Sequence, residues 1–339
     1  MSSVVEKEAA PARALRAARL LSMIQTANTG GLLFVILLLI ATISAIAPSF
    51  LSPFNLFALT RNLASDAVIG FGMMVVLALG QMNLALGAIG VCAVMVTGYT
   101  LEQLGLPIPV AVLAALATGG LLGMVNGLLI VGTGINAFVI TLATASLFTG
   151  LMLIVTKATT FHNLPPEFSA LGYSRVGPIS GFLVVTLFVC GALFLLFNFS
   201  VLGRQILATG ANIVAAGLSG VPVNRVIIVA HALSGVLAAV AGVLVTAHLA
   251  AALPSIGEDW LLPSFLAPLL GGTLLAGGFV SVSGALLGAI LVSVLQNGLV
   301  LFNVNGFRIQ FFLGLALLAA VGLDRWRTVL VQRAEKRLT

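Results

Sequence analysis

Residues 108–156 read IPVAVLAALATGGLLGMVNGLLIVGTGINAFVITLATASLFTGLMLIVT, without one charged side chain. A helix needs about 20 predominantly apolar residues to cross the hydrocarbon core of a bilayer. The stretch holds two such spans, 108–131 and 136–156. Working outward, the same test gives 30–48, 62–80, 86–104, 179–199, 226–250, 261–277, 283–302 and 306–323. The sequence therefore predicts an all-α polytopic transmembrane bundle of about ten spans. Only Asp66, Glu102 and Arg308 place formal charges inside these runs, and Asp66 lies deepest. Residues 81–85 join the second and third spans with almost no polar linker, which predicts a broken or re-entrant segment there.

Composition agrees. Of 339 residues, 60% are hydrophobic and 7% charged, with a mean hydropathy of +1.21. A soluble domain carries about 25% charged residues. So few charges cannot coat a water-facing surface, whereas a lipid-facing one requires no polar coat. The 37 glycines suit close approach of membrane helices.

The net charge of +6 comes mostly from the chain ends and one loop. Aromatic residues are not interleaved with these cations, so they read as topology signals and lipid-headgroup contacts rather than as a nucleic-acid surface. With the N-terminus inside, cytoplasmic segments hold Lys7, Arg13, Arg16, Arg19, Arg204, Arg225, Arg325, Arg327, Arg333, Lys336 and Arg337. The other side holds Arg61, Lys157, Arg175 and Arg308. That bias of eleven to four places both termini in the cytoplasm. The chain divides into a cytoplasmic N-terminal segment at 1–29, a membrane domain at 30–323 and a cytoplasmic tail at 324–339. The first long apolar run starts late, at Gly30, which does not fit a cleaved signal peptide. Cys92 and Cys190 fall inside apolar runs, placed for neither a disulfide framework nor a metal site.

The motifs of chemistry are missing. No P-loop, H-E-x-x-H, G-x-S-x-G or Cys/His cluster occurs. The chain reads as neither an enzyme nor a holder of a cofactor or metal. Two loops are long enough to carry function. Residues 157–178 are expected outside and hold His162, Pro165, Pro166, Glu167, Tyr173 and Arg175. Residues 200–225, SVLGRQILATGANIVAAGLSGVPVNR, are expected inside. The outside segment 251–260, AALPSIGEDW, is acidic. Asn126-Gly127-Leu128-Leu129 echoes Asn297-Gly298-Leu299-Val300, and Gly80-x-x-x-Leu84-Ala85-x-Gly87 echoes Gly271-x-x-x-Leu275-Ala276-x-Gly278. These echoes hint at an internal repeat, although their offsets differ.

Within 200–225, Ala208 to Gly220 is short and dominated by small residues, a composition that can dock closely into a groove on a partner. From Gly203 to Arg225 the chain resembles the coupling segment of permease subunits in ribose-type, binding-protein-dependent ABC sugar importers. Asn212, Ala215, Ala216, Ser219 and Gly220 match that pattern. Three further stretches resemble the same family in the same order: RNLASDAVIGFGM at 61–73, Asn126 to Gly150 ending FVITLATASLFTG, and LLGGTLLAGGFVSVSGALLGAILVSVLQNGL at 269–299. Residues 1–29 and 326–339 carry no resemblance. One departure stands out. Where the family commonly reads Gly-Gly-Ile-Asp-Leu-Ser-x-Gly, this chain has Gly80-Gln81-Met82-Asn83-Leu84-Ala85-Leu86-Gly87, with an amide in place of the acid.

The resemblance implies a multi-pass protein of the bacterial inner membrane and several partners. Two permease copies, identical or related, form the pathway. Cytoplasmic ABC ATPase subunits bind the ATP, and a periplasmic solute-binding protein delivers a sugar or sugar-like solute. Asn212, Ala215, Ala216, Ser219 and Gly220 are the residues expected to couple to the ATPase. Buried amides and hydroxyls in lipid must find partners. Asn83, Asn126, Asn136, Thr141, Thr144, Gln296 and Asn297 are therefore candidates to line the solute path, and interhelical hydrogen bonding is the competing role for each. A pairing of Asp66 with Arg61 is expected, and His231 reads as a helix-contact residue. An ion-coupled secondary transporter, a membrane enzyme and an amino-acid-type ABC permease are the alternatives. The first would need midplane acids, for which Asp66 is the only candidate.

Overall fold

The computed structural model describes the backbone of residues 30–336 and the side chains of 30–322. The N-terminal segment 1–29 and the last residues of the tail lie outside the described residues. The described chain is helical, apart from one two-stranded hairpin. In order, the helices are α1 (Gly30–Ile46), α2 (Pro53–Leu77), α3 (Leu86–Glu102), α4 (Ile108–Thr133), α5 (Ala137–Thr156), α6 (Pro166–Leu171) and α7 (Phe182–Phe199). They continue as α8 (Val201–Ala211), α9 (Ile213–Leu218), α10 (Val223–Leu249), α11 (Leu261–Leu270), α12 (Val282–Leu301) and α13 (Gly306–Lys336). The strands β1 (Arg175–Val176) and β2 (Ile179–Ser180) pair antiparallel, with Arg175 opposite Ser180. The α13 backbone runs on through residues expected to form a separate tail.

Five of these helices, α4, α5, α7, α10 and α12, are long and apolar enough to cross a membrane by length and composition. The molecule is a helical membrane bundle. α2 is its centre, with its side chains buried almost without interruption from Leu63 to Leu77. Around it α10 packs on α2, α3 and α4, while α11 and α12 cover another side. The α4–α10 contact is close because Gly119, Gly123 and Gly127 recur every four residues along one face of α4. A methyl group at Gly123 would strike the His231 carbonyl, and one at Gly119 the Gly235 carbonyl. Small residues at such a contact bring backbones together where lipid supplies no hydrophobic drive. The periphery is inverted relative to a soluble protein. α5 exposes Leu142, Leu147, Leu151 and Ile154, and α7 exposes Val184, Phe188 and Phe194. Such side chains outward are expected where lipid is the solvent.

Two positions depart from regular spans, and both are backbone breaks. α2 ends at Leu77, and helix resumes only at Leu86. α11 has ten residues, about 15 Å of helix, against a hydrocarbon core of about 30 Å. The span expected at 261–277 is thus a half-helix that stops at Leu270, followed by the loop 271–281. Gly272, Gly277 and Gly278 in that loop have φ of 88°, 83° and 79°, left-handed values that exclude a helix. The second span also shifts, beginning at Pro53 rather than at 62. The two breaks touch: the Gly278 amide donates to the Ala78 carbonyl at 2.9 Å, and Gly277 packs on Gly80. α8 turns back at Ser200, whose hydroxyl accepts from the Gly203 amide, and the end of α8 reaches the same point. There Gly210 lies against Ala78, and Ala211 against Gly278.

The ends of the bundle differ. At one end, here the hairpin end, Phe161 and Ala252 form an antiparallel bridge through 3.1 and 2.9 Å bonds. The Glu102 carboxylate accepts from the Asn163 amide at 2.8 Å, and the Thr60 hydroxyl accepts from the Ser180 amide at 3.0 Å. The segments 157–178 and 251–260 are thereby one structure. From Ala252 the latter dips along α3, and Trp260 and Gly257 reach Gly90 and Gly87. α8 and α9 occupy the opposite end.

Candidate functional site

The break at 80–85 is a polar knot inside an apolar bundle. Asn83 is fully buried. Its Nδ2 donates to the Ser234 hydroxyl of α10 at 3.0 Å, and its Oδ1 accepts from the Ala85 amide at 3.1 Å. Gln81 Oε1 lies 2.9 Å from His231 Nε2, also on α10. The Thr141 hydroxyl of α5 accepts from the Leu84 amide at 3.1 Å and donates to the Ala137 carbonyl at 2.7 Å. Of the backbone amides freed by the break, Leu84 finds Thr141 on α5 and Ala85 finds the Asn83 side chain, while the side chains of Gln81 and Asn83 hold α10; buried polar groups must be so satisfied in lipid. The amide at position 83 both donates to Ser234 and accepts from the Ala85 amide, whereas an ionised acid could only accept.

The knot separates two clefts along α5. A cleft of about 480 Å³ opens on its α9 side, between Gly80, Gln81, Met82, Asn136, Phe138 and Ile213. Another, of about 420 Å³, opens on its hairpin side, between Leu84, Gly87, Ser146, Thr149, Glu258 and Trp260. Residues 82–84 and Thr141 stand between them. The line of cleft, barrier and cleft ascends one helix that is peripheral to the bundle.

The predicted path residues distribute unevenly on this geometry. Asn83, Thr141 and Thr144 gather at the barrier, with the Thr144 hydroxyl donating to the Thr141 carbonyl. Asn136 caps α5, accepting from the Phe138 amide at 2.8 Å, and lines the α9-side cleft. Asn126 is fully buried at the α4–α10 contact, and its amide has no hydrogen-bond partner there. Asn297 lies elsewhere, in a reciprocal amide pair with Asn55 at 2.9 and 3.0 Å that fastens α12 to the start of α2. Gln296 lines a third cleft, with Asp66. The expected Asp66–Arg61 pair does not form. The Arg61 guanidinium sits 5.1 Å from the Phe57 ring, which Arg175 approaches to 4.1 Å, and Asp66 faces Ser293 instead. Gln81 and Ser234 were not singled out from sequence. Gln81 stands two residues before Asn83 and carried the available signal, whereas Ser234 carried none.

Comparison with known proteins gives this geometry a family. The model for permease components of branched-chain amino acid transport systems matches residues 55–321, from α2 into α13. The chain belongs to this family. Its relatives include the ribose import permease protein RbsC of Bacillus subtilis (strain 168), 35% identical over 85% of this chain and 90% of the relative. RbsC of Escherichia coli (strain K12) is 32% identical over 86% of this chain and 92% of the relative. The autoinducer 2 import system permease protein LsrD of Salmonella choleraesuis (strain SC-B67) is 32% identical over 78% and 81%. No solved structure matches the chain. The protein is therefore a transport permease and not an enzyme, and a multi-pass protein of the inner membrane.

In this permease the segment expected to couple has a definite form. Asn212 caps α9, its Oδ1 accepting from the amides of Val214 and Ala215 at 3.1 and 2.9 Å. Ser219 and Gly220 end it, Gly220 with a left-handed φ of 83°. Ala216 packs inward at 5% exposure. The outward surface belongs to large apolar side chains as well as small ones: Ile213, Val214 and Leu218 are 51%, 68% and 87% exposed.

Proposed function

We propose that this permease is the membrane-spanning subunit of an ABC importer and carries a sugar or sugar-like polar solute inward. The observation that carries the reading is the pair of clefts on opposite sides of the 82–84 barrier. A solute path that must open alternately to each side needs a closable point between two vestibules, and broken helices at such a point are a recurrent transporter device. Asn83, Thr141 and Thr144 serve at the barrier, Asn136 in the inner vestibule, and Asn126, Gln296 and Asn297 are the remaining path candidates. ABC ATPase subunits supply the energy, because this chain has no P-loop. A periplasmic solute-binding protein delivers the solute to the hairpin end. A second permease copy covers α5, whose uncovered face is otherwise without a partner.

The membrane domain is 30–323, in ten membrane segments, with both termini and the α9 end in the cytoplasm and the hairpin end outside. Asn212, Ala215, Ala216, Ser219 and Gly220 form the coupling element that meets the ATPase. The relatives named above import ribose and autoinducer 2, and a further relative is a D-allose transport permease. That favours the sugar reading. The family description names branched-chain amino acids, which keeps an amino-acid importer as the second reading. The deciding experiment reconstitutes the permease in liposomes with its ATPase and binding protein and measures ATP-dependent uptake of radiolabelled D-ribose, D-allose and L-leucine. Uptake of a sugar is expected. Uptake of leucine alone selects the second reading, and uptake without the ATPase overturns both.

A further inference from the structure

A third cleft, of about 750 Å³, lies between α2, α11, α12 and α13, and of the residues that line it only Gln296 enters the reading above. Its rim is exposed and carries Glu258, Asp259, Asn305 and Gln310, with the Gln310 amide donating to Asp259 at 2.9 Å. Asp66 and Gln296 stand deeper, half-buried, and the indole of Trp260 forms part of the wall. No Lys or Arg lines it. The cleft meets the hairpin-side vestibule of α5 at Glu258, Trp260 and Leu261, which line both.

Ser293 lies three residues before Gln296 on α12, hence on nearly the same face. It is 3% exposed and stands beside the Asp66 carboxyl, behind the side chains that line the cleft.

The donor set selects a ligand class. Carboxyl oxygens accept hydrogen bonds, amides donate and accept, and a hydroxyl does either. An organic amine would satisfy Asp66, Asp259 and Glu258 but leave the amide donors without acceptors. A metal ion would need grouped ligands, and no such group occurs among the described residues. A polyhydroxylated solute donates to the carboxyl oxygens and accepts from Gln296 through the same hydroxyls. Its C–H face can lie on the Trp260 indole. We infer that this cleft is a holding site for a polyhydroxylated solute, with Asp66 and Gln296 as its deep contacts and Trp260 as its apolar wall. The inference rests on the importer reading and names solute contacts for it.

The test uses the reconstituted importer with D-ribose and D-allose as probes. Asp66→Asn and Gln296→Ala should each lower ATP-dependent sugar uptake at least fivefold while still copurifying with the ATPase. A second measurement does not depend on those variants folding. Gln310→Cys, in a background lacking Cys92 and Cys190, is labelled from outside with an impermeant maleimide. Transported sugar should slow the labelling at least threefold, and choline or leucine should not. Unchanged sugar uptake in both variants overturns the inference and leaves the importer reading standing, as does protection by choline alone. A wild-type importer that takes up neither sugar removes the sugar reading and the proposed ligand class together.

Discussion

Asn297 and Asn83 are both amides within apolar spans, yet their surroundings give them different work. Asn297 exchanges two hydrogen bonds with Asn55, so each amide uses a donor and an acceptor on the other. Asn83 ties the first break to Ser234. The sequence marks such residues as expensive but cannot name their partners, because Asn55 lies 242 residues from Asn297 and Ser234 lies 151 from Asn83. Even the local Asp66–Arg61 expectation fails for a geometric reason. Successive helical residues turn by about 100°, so a spacing of five leaves two side chains roughly 140° apart, and only spacings of three or four meet. The Asn55–Asn297 pair makes a distinguishing prediction. Interhelical hydrogen bonds in membranes contribute about 0.6 kcal/mol on average and about 1.7 at most. Asn55→Ala and Asn297→Ala should each lower stability in detergent by about 1 kcal/mol, and the double variant should cost no more than Asn55→Ala alone, because Asn55 also donates to the Phe50 carbonyl. Thermal unfolding of the four proteins measures this. If Asn297→Ala alters solute preference and Asn55→Ala does not, Asn297 belongs to the path rather than to a clamp.

At the scale of elements, the two breaks were unequally legible. Residues 81–85 betrayed themselves by joining two spans with almost no linker. Residues 271–281 did not, because hydropathy counts side chains and GGTLLAGGFVS is apolar enough to pass for helix. The left-handed φ values at Gly272, Gly277 and Gly278 decide otherwise, and they are backbone properties. The small-residue segment was legible as a short helix, but its exposed face was not. Ala216 faces the bundle, while Leu218 projects at 87% exposure. An apolar side chain so placed on the aqueous end is a natural interface anchor. The residue that tests coupling is therefore Leu218. A large residue at Ala216 would strain this chain itself, whereas Leu218→Arg alters only what a partner meets. Leu218→Arg should insert and fold normally but lose copurification with the ATPase, or lose solute-stimulated ATP hydrolysis. Wild-type values of both would make α9 a connector. The end of α8 gives the contact a route inward, since Gly210 and Ala211 sit where the two breaks touch.

For the whole molecule, the proposed orientation does not depend on the number of spans. Suppose α2 and α3 each cross the bilayer. Suppose instead that they descend to the break at 80–85 and return, as a re-entrant pair. Either way, Glu102 is at the hairpin end, as its bond to Asn163 requires. The same holds for α11 and α12, because the Asn297–Asn55 pair fixes the far end of α12 at the hairpin end whatever the depth of the loop 271–281. Parity is therefore conserved, and the eleven-to-four Lys/Arg bias then supports the proposed orientation, with the hairpin end outside. Thr209, in the expected cytoplasmic loop, is 4% exposed and would label poorly from either side. Better reporters are single cysteines at His162, Leu218 and Ala276, all exposed, in a background lacking Cys92 and Cys190. In intact spheroplasts an impermeant maleimide should reach only position 162, and permeabilisation should open position 218. Position 276 measures the second break: it should label only after permeabilisation, because its loop meets α8 near the cytoplasmic end. Labelling of 218 in intact spheroplasts would invert the protein and with it the direction of transport. Labelling of 276 from outside would instead keep the orientation and place the loop on the outer side of the barrier.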